Sequence, residues 1–352
     1  MAARAESEGA QLVKLEHLPK PPARLVLNGE PANGRFAGRL EAGFDWRGLQ
    51  APHTRSWLWR RLHHKRWLYL GLGDERLFIG LAIVDVGWTS TAFAYLFDRR
   101  ERVMRADWSQ DGLPGLQAQV SDDPFAAGSS TWFRGMRARL ALSSGNDQRM
   151  QIQVDTPQLQ IEAELDLAAM APPLLAIGPI DGGVAHATQK TSALPLRGQA
   201  RLRGAAGHED LDLAQAWGAL DASNGLLARH TAWRWASAHG PGLGFNLQQG
   251  YFGGQENALW LDGELIPLGA AHFAFNAAQP LQPWHVSTDD GLLDLQFQPE
   301  GARQDARNLG FAASHYVQPV GTFKGWVRAA PDAPRHPVDH LLGVTEDHRS
   351  VW

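Results

Sequence analysis

Residues 67–98, WLYLGLGDERLFIGLAIVDVGWTSTAFAYLFD, decide the fold. The apolar run 67–72 is separated from the run 77–88 by the polar turn 73–76, and a third apolar run, 91–98, follows and ends in the turn 98–101. Short apolar runs that alternate with turns containing Gly and Asp are typical of consecutive antiparallel strands. This stretch therefore predicts a hairpin and a third strand.

The same strand signal extends through most of the chain. Residues 149–166 alternate apolar and polar side chains, as half-buried strands do, and further strands are expected at 132–142, 272–276, 292–299 and 321–328. The only helix candidate, at 211–220, could equally be a loop. The sequence predicts a mostly β protein with two lipocalin-like antiparallel barrel or sandwich domains: an irregular leader (1–35), an N-terminal domain (36–180) and a C-terminal domain (181–352). The boundary is placed at the Pro- and Gly-rich run 171–183.

The two halves share a pattern. Residues 80–98 align without gaps with residues 244–262, at an offset of 164, and both segments begin with Gly and end with Asp. Upstream, His64 precedes Trp67 by three residues, and His230 precedes Trp233 by three. The pattern predicts an internal duplication, with chance similarity as the alternative.

The composition excludes several classes of function. The chain has 352 residues, of which 44% are hydrophobic and 20% charged, and its net charge is −4. A broad basic face is missing, so nucleic-acid binding is not expected; the one basic cluster is at residues 60–66. Without cysteine there are no disulfides or thiolate-bound metals. No run of apolar residues is long enough to cross a membrane, and we expect a cytoplasmic protein.

The segment 244–263, GFNLQQGYFGGQENALWLDG, is the best candidate for a ligand site. Amides and one carboxyl group interrupt an apolar, aromatic strand pattern, which is how a pocket wall is built. If Gln255 and Asn257 face a cavity, they can orient a polar group; if Glu256 faces it, burial would raise the pKa of its carboxyl group and make it a proton donor or acceptor. The alternative is that these groups satisfy the sheet edge and a turn.

Three other positions are candidates for acid–base chemistry. Asp85 lies in an apolar strand and is either paired with an arginine or a cavity acid. His64 begins a strand and is either an acid–base group or part of a solvated basic loop. Glu346 and His348 form an acid–imidazole cluster that the last strand would bring to the cavity, or they lie on the surface.

The expected catalytic residues are Glu256, Asp85 and His64. The expected ligand-binding residues are Gln255, Asn257, Tyr251, Trp260, Trp88, Gln249, Asn246, Glu346 and His348. No metal site or cofactor is expected, because neither metal-ligand spacings nor nucleotide-binding motifs are present.

Several long motifs together resemble a known bacterial family. TAWRWASAHG (231–240), the segment 244–263, TFKGWV (322–327) and the terminal GVTEDHRSVW (343–352) are similar to the family called domain of unknown function 2804. The resemblance covers residues 63–352 and implies kinship with two-domain lipocalin-like proteins. These include carotenoid 1,2-hydratase, AttH-type proteins, fungal pericyclases and a fungal lipid-handling survival factor. It implies a fold with an apolar cavity and transfers no catalytic residue.

We therefore expect a protein that binds a long apolar ligand, such as an isoprenoid, a polyene or a fatty acyl chain, in a β-barrel cavity or at the seam between domains. Cofactor-free hydration, isomerisation or cyclisation would follow. The alternative is a non-catalytic lipid carrier. The two differ in one feature: an enzyme needs a titratable group inside the cavity, whereas in a carrier both Glu256 and Asp85 would be paired with arginines or face water.

Overall fold

The structure, a computed structural model, describes residues 17–145, 148–205 and 207–352; residues 1–16 of the expected leader lie outside the described part. One helix and sixteen strands come first: β1 (Val26–Leu27), β2 (Glu30–Pro31), β3 (Gly34–Ala37), α1 (Trp57–His63), β4 (His64–Gly73), β5 (Leu77–Asp85), β6 (Ser90–Asp98), β7 (Val103–Gly112), β8 (Ala118–Gln119), β9 (Ser130–Phe133), β10 (Ala138–Leu142), β11 (Arg149–Asp155), β12 (Leu159–Asp166), β13 (Leu174–Pro179), β14 (Ala185–Gly204), β15 (Gly207–Asp212) and β16 (Trp217–Leu226). The remaining strands are β17 (His230–Gly240), β18 (Leu243–Gly250), β19 (Ala258–Leu261), β20 (Glu264–Pro267), β21 (Ala271–Ala274), β22 (Trp284–Thr288), β23 (Leu293–Asn308), β24 (Ala313–Val327) and β25 (His336–Val351). The expected mostly β, antiparallel fold is confirmed.

The strands form two large curled sheets with the same plan. The first has the order β7-β6-β5-β4-β16-β14-β12-β11-β10-β9-β8, and the second has the order β20-β19-β18-β17-β25-β24-β23-β22-β21. In both, four consecutive strands form a meander whose first strand pairs with the last strand of that sheet. The shared order supports an internal duplication.

The duplication has a different offset from the one in the sequence alignment. Strands β4 and β17 begin at His64 and His230, and strands β5 and β18 begin at Leu77 and Leu243, so both pairs are 166 residues apart rather than 164. A shift of two residues leaves every side chain on the same face of its strand. The apolar–polar pattern therefore survives the wrong offset.

The helix candidate at 211–220 and the expected connection at 171–183 both contain strands. The helix candidate at 211–220 is the end of β15, a tight turn and the start of β16. The expected connection at 171–183 contains β13, which pairs with β3 and β14 inside the first sheet because its apolar run LLAIG is fully buried there. The chain passes from the first sheet to the second at residues 227–229. The division into folding units at 180/181 stays a prediction.

At the seam, strands of the first sheet bury one face in that sheet's own apolar core and the other against the second sheet. In β4, Leu68, Leu70 and Leu72 belong to the core of the first sheet, whereas Tyr69 packs against Trp235 of the second. Because side chains alternate along a strand, residues with both destinations are apolar. This explains the near-continuous apolar runs of β4, β5 and β6, whereas β11 and β12, which expose one face, alternate apolar and polar residues.

Candidate functional site

A cavity of about 120 Å³ lies at the seam between the two sheets. Its lining residues come from both sheets and are mostly aromatic: Trp67, Tyr69, Ala82, Val84, Phe93, Lys190, Asp221, Trp233, Trp235, Gln248, Tyr251, Glu256, Tyr316, Gln318, Glu346, His348 and Trp352. The interior of the first sheet, in contrast, is filled by its own apolar side chains. The cavity is therefore at the seam rather than inside a barrel.

The duplication places equivalent positions on opposite walls of this cavity. Tyr69 of β4 lies across from Asp221 of β16, and its counterpart, Trp235 of β17, lies across from Glu346 of β25. Each of the two carboxyl groups thus occupies the last strand of its own sheet, beside an aromatic residue of the first meander strand. Two polar clusters result, one on each side of the aromatic lining.

The first cluster contains one buried amine and two buried carboxyl groups. Lys190 Nζ lies 2.6 Å from Asp221 Oδ2 and 2.8 Å from Glu256 Oε2. Asp221 Oδ1 also accepts a hydrogen bond of 2.8 Å from the Ser223 hydroxyl. All three charged residues are buried: Lys190 is 3% exposed, Glu256 2% and Asp221 8%.

This cluster does not balance its charge when every group is ionised. Burial raises the pKa of the Glu256 carboxyl group, and nearby Asp221 raises it further, while Lys190 acts in the opposite direction. The pKa of the Lys190 amine is raised because the attraction of Asp221 and Glu256 exceeds the cost of its burial. A proton on Glu256 leaves one cation and one anion, which is the arrangement that a low-dielectric interior tolerates best.

The second cluster is built around Glu346. Its Oε1 accepts a hydrogen bond of 2.8 Å from Trp233 Nε1, and its Oε2 accepts one of 2.9 Å from the Gln318 amide. His348 Nδ1 lies 3.3 Å from Oε1. Glu346 therefore has neutral N–H donors on both oxygens, where the first cluster has a lysine.

His348 is held in one orientation by its neighbours. Its Nε2 lies 3.0 Å from the Ser314 hydroxyl and 2.9 Å from the Ser350 hydroxyl, and its ring packs on Trp233 at 4.1 Å between centroids. With Glu346 on the other ring nitrogen, the imidazole can accept or release a proton at the cavity wall.

Two further polar groups face the cavity. Both side-chain amide atoms of Gln248 lack a hydrogen-bond partner within the described part of the chain, although the residue is 1% exposed. Buried amides are seldom left unpaired, so this position suits a ligand or a water. The Tyr251 hydroxyl lies 3.4 Å from His186 Nε2, and burial lowers the pKa of that imidazole to about 3, so it is neutral.

The structure brings together four of the sequence-predicted residues, Glu256, Tyr251, Glu346 and His348, around the cavity. Asp85 and His64 line a different, open pocket of about 570 Å³ beside α1. Asp85 is paired with Arg66 at 2.9 Å, and His64 Nε2 lies 2.7 Å from Asn224 Oδ1. In β5 the odd-numbered residues face the first core, so Asp85 points away from the seam.

The remaining predicted residues hold the fold or face outward. The Asn246 side chain accepts a hydrogen bond from Trp235 Nε1 and donates one to the backbone carbonyl of Glu256. The Asn257 side chain accepts a hydrogen bond from the backbone N–H of Gln248 and donates one to the backbone carbonyl of Gly269. These contacts shape the loop that carries Glu256. The other positions lie off the cavity: Gln255 is exposed, Gln249 is at the sheet edge near Arg234, Trp260 donates to the Pro172 carbonyl, and Trp88 packs on Phe311.

Sequence reasoning missed Lys190, Asp221 and Gln318. Asp221 follows the apolar residues Ala219 and Leu220 in GALDASNGL, which is a weaker form of the signal that drew attention to Asp85. Lys190 stands among polar residues in ATQKTSALPL, so the same argument would not have identified it.

The fold and the cavity define a two-sheet lipocalin-like protein with a polar, aromatic-lined site at its seam. The chain belongs to the family described as domain of unknown function DUF2804, which it matches over residues 35–352. No curated protein matched the sequence.

Solved structures share this fold at low sequence identity. A crystal structure of CghA with Sch210972 is 10% identical, with 95% of this chain and 97% of that chain covered and a TM-score of 0.56. A putative AttH protein from Nitrosomonas europaea is 13% identical over 86% and 96% of the two chains, with a TM-score of 0.50. Kievitone hydratase from Nectria haematococca is 11% identical over 96% and 98%, also with a TM-score of 0.50. Within the described residues, no helix is long and apolar enough to span a membrane.

Proposed function

We propose that this protein is a cofactor-free acid–base enzyme that acts on an apolar, unsaturated or hydroxylated substrate in the seam cavity. The observation that carries the proposal is Glu256: a carboxyl group with a raised pKa, 2% exposed, on the wall of an aromatic cavity. Of the two carboxyl groups considered from the sequence, Asp85 is paired with an arginine outside the cavity, whereas Glu256 lines it. The enzyme is thus favoured over the carrier.

Glu256 is the proton donor in this proposal. The carboxylic acid transfers its proton to a carbon of a C=C bond, or to a hydroxyl group that leaves as water. The remaining carboxylate is stabilised by Lys190 Nζ at 2.8 Å. The carbocation faces Trp233, Trp235 and Tyr69, whose ring faces attract positive charge. From a protonated C=C bond, attack by water followed by loss of a proton gives hydration, and loss of a neighbouring proton gives isomerisation. From the cation left when water departs, loss of a neighbouring proton gives dehydration. Attack of a second C=C bond on either cation, followed by loss of a proton, gives cyclisation.

The second cluster supplies the complementary base. His348, oriented by Glu346 and two serines, accepts the proton that the attacking water or the cation releases. A proton then returns to Glu256 from solvent or product, which restores the starting state. Gln248, with its free amide, orients the water or a polar substituent.

The cavity sets a limit on the substrate. Its volume of about 120 Å³ is below the range of roughly 300–1,000 Å³ that is usual for ligand pockets. We propose that the reacting segment of the substrate occupies this space and that the rest of a longer chain extends past the half-buried rim residues Trp67, Trp233 and Trp352. The similarity to solved structures supports acid–base chemistry only at the level of the fold. One structure that shares the fold is a hydratase, and a shared fold does not by itself fix a function.

Native mass spectrometry of protein from its own host, followed by extraction of any bound molecule, tests the proposal first. A discrete apolar ligand provides the substrate class, and turnover is then measured with Glu256→Gln and with the matched control Glu264→Gln, whose side chain is exposed on β20. We expect the control to behave as wild type and Glu256→Gln to turn over about a hundredfold more slowly or worse. A ligand that wild type binds and never converts would establish the carrier instead.

A further inference from the structure

The basic cluster seen in the sequence belongs to a surface that the proposed reaction does not use. Residues 46–73 contain no Asp or Glu, yet they include five arginines, Arg47, Arg55, Arg60, Arg61 and Arg66, among other basic residues. Helix α1 lies in the middle of this stretch. Ser56 is the N-cap residue of α1, and its hydroxyl accepts a hydrogen bond from the Trp59 amide N–H. None of the residues of α1 is buried.

Helix α1 exposes large apolar side chains. Trp57 is 78% exposed, Leu58 58% and Leu62 44%. A short surface helix usually hides such residues against the core, and single exposed apolar residues are common, but a cluster of them marks a contact surface. The packing of the protein gives no reason for this cluster.

Basic side chains flank the exposed apolar residues. Among the described residues, Arg55, Arg60 and Arg61 form no salt bridge within 4 Å. Arg55 packs over the Trp59 ring at 5.6 Å. Indole and leucine side chains beside unpaired arginines are the composition of helices that lie in the interface of an anionic bilayer, where the apolar groups enter the acyl boundary and the arginines meet phosphates.

A second exposed apolar group lies at the same end of the molecule. The turn after β23 exposes Leu309 (59%) and Phe311 (62%), and the Phe311 ring packs on Trp88 at 5.4 Å. Lys65 Nζ ties this region to α1, since it donates to the carbonyls of Leu62 and Val86.

This end of the molecule also holds a partly exposed residue of the cavity lining, Trp352. Arg229 donates to the carbonyls of both Phe311 and Trp352, and Trp352 lines the cavity. Lys65 Nζ lies 5.4 Å from the Trp352 ring. The exposed apolar residues of α1 and the 309–311 turn therefore lie near Trp352, at one end of the cavity lining.

We infer that this end of the molecule docks on an anionic lipid bilayer, with α1 and the 309–311 turn in contact with the membrane and the Trp352 end of the cavity lining facing it. An apolar substrate dissolved in the bilayer then reaches the cavity without crossing water. A second copy of the chain is a poorer occupant, because a symmetric interface would bring the unpaired arginines of the two copies together.

Co-sedimentation with vesicles tests the inference. Wild-type protein is expected to bind vesicles of phosphatidylcholine with phosphatidylglycerol, to bind phosphatidylcholine vesicles weakly, and to lose binding as salt is raised. The double variant Trp57→Ser/Leu58→Ser is expected to bind anionic vesicles at least about tenfold more weakly. Leu62→Ser and Val103→Ser form a matched pair, since both leucine and valine are 44% exposed and Val103 lies at the opposite end of β6 and β7; only Leu62→Ser should weaken binding.

Three results would overturn the inference: no binding of wild type to anionic vesicles, equal loss in Leu62→Ser and Val103→Ser, or a concentration-dependent dimer that Trp57→Ser/Leu58→Ser abolishes. The outcome is independent of the proposed reaction. Glu256→Gln leaves this surface intact, so it should bind vesicles as wild type does even when it is inactive.

Discussion

The two polar clusters occupy equivalent places in duplicated sheets, yet they handle charge differently. In the first, Lys190 contacts two carboxyl groups, Asp221 and Glu256. In the second, neutral N–H groups of Trp233 and Gln318 contact the single carboxyl group of Glu346. Lys190 and Gln318 occupy corresponding positions. Lys190 lies on β14 beside β16, the last strand of the first sheet, and Gln318 lies on β24 beside β25, the last strand of the second.

This difference assigns different chemistry to the two walls. An amine shared by two carboxyl groups forces a proton onto one of them, which creates an acid. The carboxyl group of Glu346 accepts hydrogen bonds from neutral donors on both oxygens, and it can orient His348. In the proposed function, one duplicated framework thus carries an acid on one side and a base on the other.

Replacement of the two central side chains tests this contrast with the largest effect. Lys190→Met leaves two buried carboxyl groups without a cation and should lower the free energy of unfolding by about 3–5 kcal/mol. Gln318→Met leaves only neutral groups and one carboxyl oxygen unpaired and should cost about 1–3 kcal/mol. Urea unfolding measures both.

A second substitution sharpens the result. Asp221→Asn added to Lys190→Met removes the carboxylate that Lys190→Met leaves without a cation and should restore part of the lost stability. Equal losses for Lys190→Met and Gln318→Met would mean that the two clusters are electrostatically alike.

The pH dependence of turnover separates the acid from the base. If protonated Glu256 is the donor, turnover falls as pH rises through its raised pKa. Glu256→Gln should reduce turnover by about a hundredfold or more and remove this alkaline limb. Glu346→Gln should retain the limb while lowering the rate. The measurement is the turnover rate of wild type, Glu256→Gln and Glu346→Gln as a function of pH. An unchanged alkaline limb in Glu256→Gln would assign the acid to another group.

The sequence predicted the strands well because alternation is a local property. It also predicted that polar groups interrupting an aromatic strand, such as Glu256, belong to a pocket wall. It named Asp85 and missed Asp221. Both are carboxyl groups in apolar strands, and in a protein whose sheets bury both faces the pattern does not say which face meets the seam.

The cluster around Lys190 depends on contacts that are distant in the sequence. Lys190, Asp221 and Glu256 come from β14, β16 and the loop after β18. The pairing of β14 with β16 places Lys190 beside Asp221, and the packing of the second sheet on the first brings Glu256 to them. Residue spacing holds no record of that packing. The duplication could have given a hint, because it relates the last strands of the two halves, and these carry Asp221 and Glu346.

Buried histidines on the two sheets predict a smaller effect on acid stability. Burial lowers the pKa of both His186 and His239 to about 3, against about 6.5 in the unfolded chain. The unfolded state therefore binds more protons below pH 6.5, and stability falls as pH decreases toward 3.

The histidine of the second sheet is the better test because it lies away from the cavity. His239→Phe should reduce the stability lost between pH 7 and pH 5 by about 2 kcal/mol, whereas His272→Phe, at an exposed position, should leave it unchanged. Urea unfolding at both pH values measures this. If His239→Phe loses as much stability between pH 7 and pH 5 as wild type does, the His239 imidazole can be protonated in the folded protein and the prediction is wrong.

Ion pairs between the sheets give the smallest expected effect. Arg99, in the turn after β6, donates two hydrogen bonds of 2.9 Å to Glu300 of β23, and both side chains are at most 13% exposed. Arg105 and Glu209 form a pair of 2.7 Å within the first sheet, where they are 35% and 51% exposed. Glu300→Gln should cost about 1 kcal/mol because a bidentate, shielded pair is lost, and Glu209→Gln less than about 0.5 kcal/mol.

Thermal unfolding of these two variants shows what holds the sheets together. The seam contains an apolar cluster that includes Phe78, Tyr95 and Trp235, and burial of such side chains contributes about 1.5–3 kcal/mol each. If the apolar cluster dominates, Glu300→Gln still unfolds in a single transition at slightly lower temperature. Two separate transitions in Glu300→Gln would mean that the ion pair couples the sheets, and the seam cavity would then depend on it as well.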